Sequence, residues 1–360
     1  MTRPAKVIID LAALRFNYSR VQHLAAGCKV MAVVKADAYG HGLVRVAKAL
    51  SSADAFGVAC LEEAEQLREA KITQPIVLLE GPYSFVELKQ IEALDLDIVV
   101  HHISQLEMLE QSTIKKPIRV WLKLDSGMHR LGFDIKELAS VWSRLQVCDS
   151  VANEIIMMTH LAAANEINNP MTSVQLDAFA SACESYTAER TIANSAGIVG
   201  SSDSHADWVR PGLMLYGVSP MQDSIASDHN LQPVMSLESR LISVKNLNKG
   251  ESVGYGASWR CPSDTTIGIV AAGYGDGFPR HAKSGTPTLV NGKRASIIGN
   301  ASMDMLTVDL SAQPQAKVGD PVELWGTSLA IEEVASYADT IPYELLCGVH
   351  KRLAFVEKNG

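Results

Sequence analysis

The chain has 360 residues, of which 47% are hydrophobic, and carries a formal net charge of −8 at pH 7. This length suffices for two domains with apolar cores or for one large one. The acidic balance argues against nucleic acid as a main partner and against binding to anionic membranes. No apolar run approaches the roughly 20 residues of a membrane-spanning helix. The opening MTRPAKVIID lacks the apolar segment of a signal peptide, so we expect a cytoplasmic protein.

The six cysteines lie far apart in the sequence, at positions 28, 60, 148, 183, 261 and 347, and no two of them form a CxxC pair. This usage is typical of small apolar side chains in a reducing compartment. A zinc site would need clustered cysteine and histidine residues, so we predict no metal centre.

The first two-thirds of the chain alternates apolar runs with amphipathic segments. The apolar runs predict strands at 30–34, 55–59, 76–79, 97–100, 118–124, 155–159 and 191–194, and the helical segments include 43–52, 61–70 and 172–186. An eighth strand is assigned to 207–210, with 213–217 as a competing choice. Near-continuous apolar strands that alternate with helices indicate a parallel sheet, and this number of units over about 220 residues predicts a (β/α)8 TIM-like barrel.

After about residue 230 the pattern changes to short β-rich runs, with only 331–339 helical in character. Asn291-Gly292 between two such runs is a hairpin signal. We therefore divide the chain into a barrel over 10–230 and a mostly-β C-terminal domain over 231–360. The strand-like KVIID precedes the first helix, so residues 1–9 are expected to pair with the C-terminal domain.

Polar side chains stand at the ends of several predicted barrel strands, where the active sites of such barrels form. They are Lys35 after the first strand, Lys123 and Arg130 at and after the fifth, His160 at the sixth, Asn194 and Ser195 at the seventh, and Arg210 at the eighth. The strand ends meet at one face of the barrel, so this pattern predicts a shared polar site.

The chemistry of that site follows from Lys35 and from the last two loops. Partial desolvation favours the neutral form of a lysine amine, which forms a Schiff base with an aldehyde. The loops after strands seven and eight commonly hold a phosphate in these barrels, and here they offer the Ser195 hydroxyl and the Gly212 N–H. An aldehyde-capturing amine beside a phosphate site predicts pyridoxal 5′-phosphate.

Six motifs then resemble the alanine racemase family in their order and spacing across essentially the whole chain. They are KADAYGHG (35–42), KLDSGMHRLGF (123–133), NSA (194–196), WVRPGLMLYG (208–217), VGYG (253–256) and SMDM (302–305). The resemblance implies a pyridoxal-phosphate-dependent isomerase that interconverts L- and D-alanine. Such an enzyme would supply D-alanine for peptidoglycan or degrade it.

The resemblance also implies two catalytic bases on opposite faces of the substrate. Lys35 would hold the cofactor and act as one base, and Tyr255 from the other subunit of a homodimer would be the second. The active sites would then be shared between subunits. The implied cofactor-binding set is Lys35, Tyr39, Arg130, His160, Asn194, Ser195, Arg210, Gly212, Leu213 and Tyr343.

Substrate contacts are implied for residues of both predicted domains. Arg130 and the backbone N–H of Met303 would bind the substrate, and Tyr274 would narrow the entrance. Lys123 resembles a lysine that is carbamylated in many members of the family and that orients Arg130.

The chain departs from the family pattern in two motifs near the implied entrance. Where the family reads GYADGYPR this chain reads GYGDGFPR, with Gly275 and Phe278, and GNASMDM has Ala301 where a larger residue is expected. These changes leave open a related racemase of broader specificity, for example toward serine. A decarboxylase of the same architecture and a non-catalytic carrier of pyridoxal phosphate are further alternatives. Only a racemase introduces solvent deuterium at Cα while optical rotation decays.

Overall fold

A closed barrel of parallel strands forms the first part of the structure, a computed structural model that describes residues 3–359. The strands are β1 (Lys6–Asp10), β2 (Lys29–Val33), β3 (Ala55–Val58), β4 (Ile76–Leu78), β5 (Asp97–Val100), β6 (Ile118–Asp125), β7 (Phe133–Asp134), β8 (Val151–Met158), β9 (Arg190–Asn194), β10 (Trp208–Arg210), β11 (Met235–Leu247), β12 (Ser252–Val253), β13 (Trp259–Arg260), β14 (Thr265–Val270), β15 (Pro287–Val290), β16 (Lys293–Ile297), β17 (Leu306–Asp309), β18 (Pro321–Trp325) and β19 (Ala354–Lys358).

The helices are α1 (Leu11–Leu24), α2 (Lys35–Tyr39), α3 (Leu43–Ala49), α4 (Leu61–Glu69), α5 (Glu87–Ala93), α6 (Ile103–Gln111), α7 (Leu138–Gln146), α8 (Met171–Cys183), α9 (Ser195–Gly200), α10 (Ile331–Tyr337) and α11 (Pro342–Cys347). Short 3-10 segments join several of them, including Leu213–Tyr216. No helix within residues 3–359 is both long enough and apolar enough to cross a bilayer. All six cysteines carry free thiols.

The parallel barrel confirms the predicted fold class. Its strands pair in the order β2, β3, β4, β5, β6, β8, β9, β10, and β10 pairs back with β2 to close the ring. The eighth strand is the predicted one near 207–210, and the competing segment 213–217 lies largely in a 3-10 segment. Because these strands are covered on both faces, their sequences are largely apolar rather than alternating.

Side chains fill one end of the barrel interior. Trp121 and Trp208 meet edge to face with ring centroids 5.1 Å apart, within a buried apolar cluster of strand residues. The Trp121 indole donates a hydrogen bond to the Asp97 carboxylate at 3.1 Å, and Arg119 pairs with the same carboxylate at 2.6 Å. This end of the barrel is a packed core, which leaves the carboxyl ends of the strands for polar residues.

The C-terminal part is a second barrel, which confirms its predicted β character. Strands β11, β14, β17, β16, β15 and β18 form a closed antiparallel ring, because β11 pairs with both β14 and β18. The predicted hairpin joins β15 to β16, with Asn291 and Gly292 at φ 51° and 72°. Strand β1 pairs with β11 and with β19, so the start of the chain lies in this second sheet.

Helix α11 was not predicted from the sequence, whereas α10 falls within the predicted helical segment 331–339. Helix α11 spans six residues and begins with Pro342 in its first turn. A helix of this length is too short to show the apolar period on which helix prediction depends. It nevertheless matters for function, because it carries Tyr343.

The second barrel depends on β11, which bonds to three other strands. Leu237 on this strand is fully buried, whereas Ile242 on the same strand is 44% exposed. We expect Leu237→Ala to lower the free energy of unfolding by about 2–5 kcal/mol, because it leaves a cavity. Ile242→Ala is the matched control and should change it by about 0.5 kcal/mol. Urea unfolding checks this, and equal midpoints for the two variants would contradict it.

Candidate active site

The carboxyl ends of the barrel strands open into a cavity of about 1530 Å³. Predicted site residues line it: Lys35, Tyr39, Lys123, Arg130, His160, Asn194, Ser195, Arg210, Gly212, Leu213 and Tyr343. Tyr343 comes from α11, so the second half of the chain contributes to the cavity wall. The strand-end residues therefore meet in one place.

Three predicted residues lie outside this cavity. Tyr255, Tyr274 and Met303 belong to loops of the C-terminal part, and they are 72%, 38% and 53% exposed. Tyr255 lies in the loop of the small hairpin formed by β12 and β13. The chain's own barrel therefore does not bring these three side chains to Lys35.

Two departures from the family motifs lie beneath that surface. Phe278 is 1% exposed and stacks on Trp325 with ring centroids 6.2 Å apart. Ala301 is also buried. Both side chains pack in the interior of the C-terminal part, so neither is exposed on the surface that carries Tyr274 and Met303.

Lys35 begins the short segment α2, which is a left-handed turn rather than a right-handed helix, and β2 has already stopped at Val33. The four residues after Lys35, from Ala36 to Tyr39, have φ values of 53–54°. The left-handed conformation costs roughly 1–2 kcal/mol for each residue other than glycine. The turn must therefore be held by contacts from elsewhere in the chain.

Helix α4 supplies one of these contacts through its first turn. The Glu63 carboxylate accepts hydrogen bonds from the Ala36 N–H at 2.6 Å and from the Ala59 N–H at 2.8 Å. Within the turn, Asp37 accepts from the Leu43 N–H at 2.7 Å. Glu63 thus satisfies the first amide of the turn and ties it to the end of β3, and Asp37 satisfies the first amide of α3.

Helix α11 closes the other side of the turn through Gly40, whose φ is 79°. A Cβ on Gly40 would lie 2.3 Å from the carbonyl oxygen of Leu346. Glycine is therefore required here both for its conformation and for the close approach of α11.

His41 holds the turn through hydrogen bonds to its last two residues. Its Nδ1 lies 2.9 Å from the Tyr39 carbonyl and 3.0 Å from the Ala38 carbonyl, and its ring stacks on Tyr216 with centroids 4.5 Å apart. Both carbonyls are acceptors, so Nδ1 carries the proton. Burial lowers the pKa of His41 to about 4, and the ring is neutral near pH 7.

A pair of hydroxyl groups lies where the barrel is expected to hold a phosphate. The Ser195 Oγ accepts hydrogen bonds from the N–H of Gly212 at 2.9 Å and of Met214 at 3.3 Å. A Cβ on Gly212 would lie 2.6 Å from the Tyr39 hydroxyl, so only glycine allows this approach. The Gly212 N–H is already bonded to Ser195, whose own hydroxyl proton stays free to donate.

Arg210 places a fixed positive charge at the base of the cavity. Its guanidinium donates to the Thr159 carbonyl at 2.6 Å and to the Ile192 carbonyl at 3.1 Å, and it lies 3.3 Å from the His160 Nδ1. Burial lowers the pKa of Arg210 to about 10, which still leaves it charged near pH 7. Burial and the charge of Arg210 hold the pKa of His160 well below its ordinary value.

Lys123 is buried beside this charge. Burial, followed by the positive charges of Arg210, Arg130 and Lys35, lowers the pKa of Lys123 to about 8, and Glu80 opposes the shift. Roughly a tenth of the Lys123 side chains are therefore neutral amines at pH 7.

The sequence prediction missed several residues of the site. Glu80 and Cys347 line the cavity, and Glu63 and His41 hold the turn after Lys35. Glu80 directly follows the predicted strand 76–79, so the rule that identified the other strand-end residues would have found it. The role of Glu63 depends on a contact that no sequence pattern signals.

The donor set of the cavity fits pyridoxal 5′-phosphate. It combines the Lys35 amine with the hydroxyls of Tyr39 and Ser195 and with the buried cation Arg210. An amine captures the aldehyde, hydroxyl donors suit the phosphate, and the guanidinium suits an acceptor atom of the cofactor ring. The fold and the site together define a pyridoxal-phosphate-dependent enzyme of the class that joins a (β/α)8 barrel to a β domain.

Comparisons with known proteins give the family. The model of the alanine racemase N-terminal domain matches residues 9–220, and that of the alanine racemase C-terminal domain matches residues 234–357. The chain is 50% identical over 351 residues to alanine racemase from Nitrosococcus oceani, covering 97% of this chain and 98% of that protein. It is 50% identical over 350 residues to a catabolic alanine racemase from Pseudomonas putida, with 97% and 98% covered.

Solved structures of alanine racemases give the same family. Biosynthetic alanine racemase from Pseudomonas aeruginosa superposes with a TM-score of 0.97 at 45% identity, covering 99% of this chain and all of that one. Alanine racemase from Acinetobacter baumannii gives 0.93 at 37% identity, with 99% and 100% covered. The chain belongs to the alanine racemase family. It is an isomerase, an amino-acid racemase, and its cofactor is pyridoxal 5′-phosphate.

The low pKa of His41 predicts how stability depends on pH. The unfolded state, with a histidine pKa near 6.5, binds more protons than the folded state between about pH 6.5 and 4. Stability is therefore lost as pH falls through this window, by at most about 1.4 kcal/mol per pH unit from this group. His41→Asn keeps a donor but removes the titration, so its loss between pH 6.5 and 5 should be smaller. Urea unfolding at both pH values measures this, and equal losses in both proteins would contradict it.

Proposed function

We propose that the enzyme interconverts L- and D-alanine with two bases, Lys35 of one protomer and Tyr255 of the partner subunit. The observation that carries this proposal is the separation of the two residues within one chain. Lys35 lines the barrel cavity, whereas Tyr255 is 72% exposed on the C-terminal part. A second copy in a two-fold homodimer would supply to each cavity the base that its own chain leaves outside.

The size of the cavity supports this assembly. At about 1530 Å³ it exceeds the roughly 300–1,000 Å³ of ordinary ligand pockets. The excess leaves room for loops of a second protomer. We infer that the contributing unit is the C-terminal domain over 231–360 and that the receiving unit is the barrel over 10–230.

The residues outside the cavity are linked to one another. The Asn300 side chain donates a hydrogen bond to the Tyr255 carbonyl at 3.0 Å, which joins the Tyr255 loop to the chain that leads to Met303. The Tyr274 N–H donates to the Ser302 carbonyl at 3.0 Å. Because these loops are bonded to one another, Tyr255, Tyr274 and Met303 would enter the partner's cavity together.

The roles of the chain's own residues follow from their chemistry. When bound, pyridoxal phosphate draws electrons from the Cα–H bond of the amino acid and makes its proton removable. Lys35 and Tyr255 of the partner subunit would remove and return that proton on opposite faces. Arg210 keeps its protons near pH 7, so it presents charge rather than a transferable proton. Arg130 and the Met303 N–H of the C-terminal surface would bind the substrate carboxylate.

We assign separate parts of the cofactor to separate groups of cavity residues. Lys35 would hold the aldehyde carbon. The phosphate would lie against the Tyr39, Ser195 and Tyr343 hydroxyls and the segment of Gly212 and Leu213. His160 would pack against the ring, beside Asn194, whose side-chain nitrogen lies 3.4 Å from its Nε2.

We further propose that the reaction serves either the supply of D-alanine for peptidoglycan or its degradation. Both descriptions occur among similar proteins, as a biosynthetic enzyme at 45% identity and a catabolic one at 50%. Racemisation runs in both directions at one site, so the same residues serve both uses.

A subunit-mixing experiment tests the shared site. Lys35→Ala and Tyr255→Phe homodimers should each be nearly inactive. A hybrid dimer retains one complete site, so a randomly exchanged equal mixture should recover about a quarter of wild-type activity. Chiral chromatography of the products and deuterium uptake at Cα in D2O measure the recovery. If activity does not recover after subunit exchange has been verified by mass spectrometry, the two-subunit site is ruled out.

Lys123 is proposed to be carbamylated. Its neutral amine would attack CO2, forming an N–C bond while one C–O π bond opens and the nitrogen releases a proton to solvent. The resulting carboxylate would orient Arg130. With 13C-bicarbonate the wild type should show a carbamate carbon signal that Lys123→Met lacks. Lys116→Met, at an exposed lysine paired with Asp95, is the control and should keep the signal. A signal that persists in Lys123→Met would contradict the assignment.

A further inference from the structure

A buried carboxylate lies directly behind the surface that carries Tyr274 and Met303. Asp276 has no exposed area, and its Oδ2 lies 2.6 Å from the Arg3 guanidinium and accepts the Gly273 N–H at 2.9 Å. Its Oδ1 accepts from the Arg352 Nε at 2.8 Å. Charge-assisted hydrogen bonds on both oxygens compensate the cost of burying this charge.

The two arginines continue from Asp276 to a second loop. The Arg3 and Arg352 guanidinium groups lie 3.0 Å and 2.8 Å from the Asp304 Oδ1, and Arg3 also donates to the Asp304 carbonyl at 2.9 Å. Four charged groups from remote parts of the sequence thus form one cluster. It ties the segment 273–278 to the segment 302–305, with Arg352 just ahead of β19.

Backbone hydrogen bonds hold the same two segments side by side. The Tyr274 N–H donates to the Ser302 carbonyl at 3.0 Å, and the Gly275 N–H donates to the Met303 carbonyl at 2.8 Å. Within residues 3–359 the Met303 N–H donates to no acceptor. The peptide between Ser302 and Met303 is trans, so this free N–H points away from the carbonyl that Tyr274 engages.

Gly275 allows the cluster to form at this distance. A Cβ at this position would lie 2.9 Å from the Arg352 Nη2 and 3.0 Å from the Met303 carbonyl oxygen. Gly275 is one of the positions at which the chain departs from the family motif. In this chain, the departure leaves space for the Arg352 guanidinium between the two loops.

We propose that Asp276 is a positioning residue for the partner's active site. Through Arg3 and Arg352 it fixes the loops of Tyr274 and Met303, and so aims the free Met303 N–H at the substrate carboxylate in the neighbouring cavity. This inference rests on the proposed shared site. The buried ion cluster lies outside the cavity of its own chain. We infer that it nevertheless affects substrate affinity in the cavity of the other protomer.

The first test uses the Asp276→Asn homodimer loaded with pyridoxal phosphate. Loss of one hydrogen bond to the substrate's charged group should raise the KM for alanine by about tenfold. The kcat should change by less than about threefold, because this interaction is made in ground and transition states alike. Arg144→Gln removes an arginine–carboxylate pair with Glu110 on the barrel surface, and as the control it should leave KM unchanged.

Hybrid dimers separate positioning from a general folding defect. In the first hybrid, an Asp276→Asn chain is paired with a Lys35→Ala chain. Its one complete site combines the barrel of the Asp276→Asn chain, which keeps Lys35, with the unaltered loops of the Lys35→Ala chain. That site should show a wild-type KM. A Lys35→Ala/Asp276→Asn chain paired with a wild-type chain has one site whose loops are altered, and that site should show the raised KM. Equal KM values in the two hybrids would overturn the inference.

Two further measurements complete the design. If Asp276→Asn does not fold, Arg352→Gln keeps the carboxylate and removes one of its links to Asp304. In the same hybrids Arg352→Gln should raise KM only when the altered chain faces the barrel that keeps Lys35. A hybrid dimer of one Lys35→Ala chain and one Tyr255→Phe chain is measured in parallel. If that hybrid is active while the position of the loop variant makes no difference, the inference fails and the shared site stands. If that hybrid is inactive, the shared site fails and the inference fails with it.

Discussion

The left-handed turn after Lys35 is the constraint on which the site depends. It sets the starting point of the Lys35 side chain and brings the Tyr39 hydroxyl against Gly212. Four residues in this conformation are unfavourable by themselves, so the turn exists only because Glu63, His41 and the backbone of α11 hold it. These contacts come from three separate segments. The amine that the chemistry needs is therefore positioned by the tertiary structure as a whole.

Much of the architecture follows from local patterns. Parallel strands covered on both faces must be apolar, so each barrel strand is visible as a run, and polar residues that end such runs converge because the strands run the same way. This is why residues as distant as Lys35 and Arg210 could be assigned to one site. The hairpin at Asn291 is equally local, since its backbone conformation favours that residue pair.

The remaining features depend on contacts between distant segments. Nothing in KADAY indicates four left-handed residues, because the side chains that bond to the turn, Glu63 and His41, lie outside that motif. The cluster around Asp276 joins Arg3 to Arg352, almost the full length of the chain apart. Helix α11 is too short for periodicity to show. Closure of the C-terminal strands into a ring depends on the double pairing of β11, which single-sequence patterns do not specify.

The pairing of β1 also constrains the order in which the polypeptide matures. Strand β1 leaves the ribosome long before its neighbours β11 and β19 have been translated. The parallel barrel can close while β1 is still unpaired, but Tyr343 and the backbone that backs Gly40 arrive only near the end of translation. A nascent chain therefore lacks a complete cofactor pocket until synthesis is nearly finished.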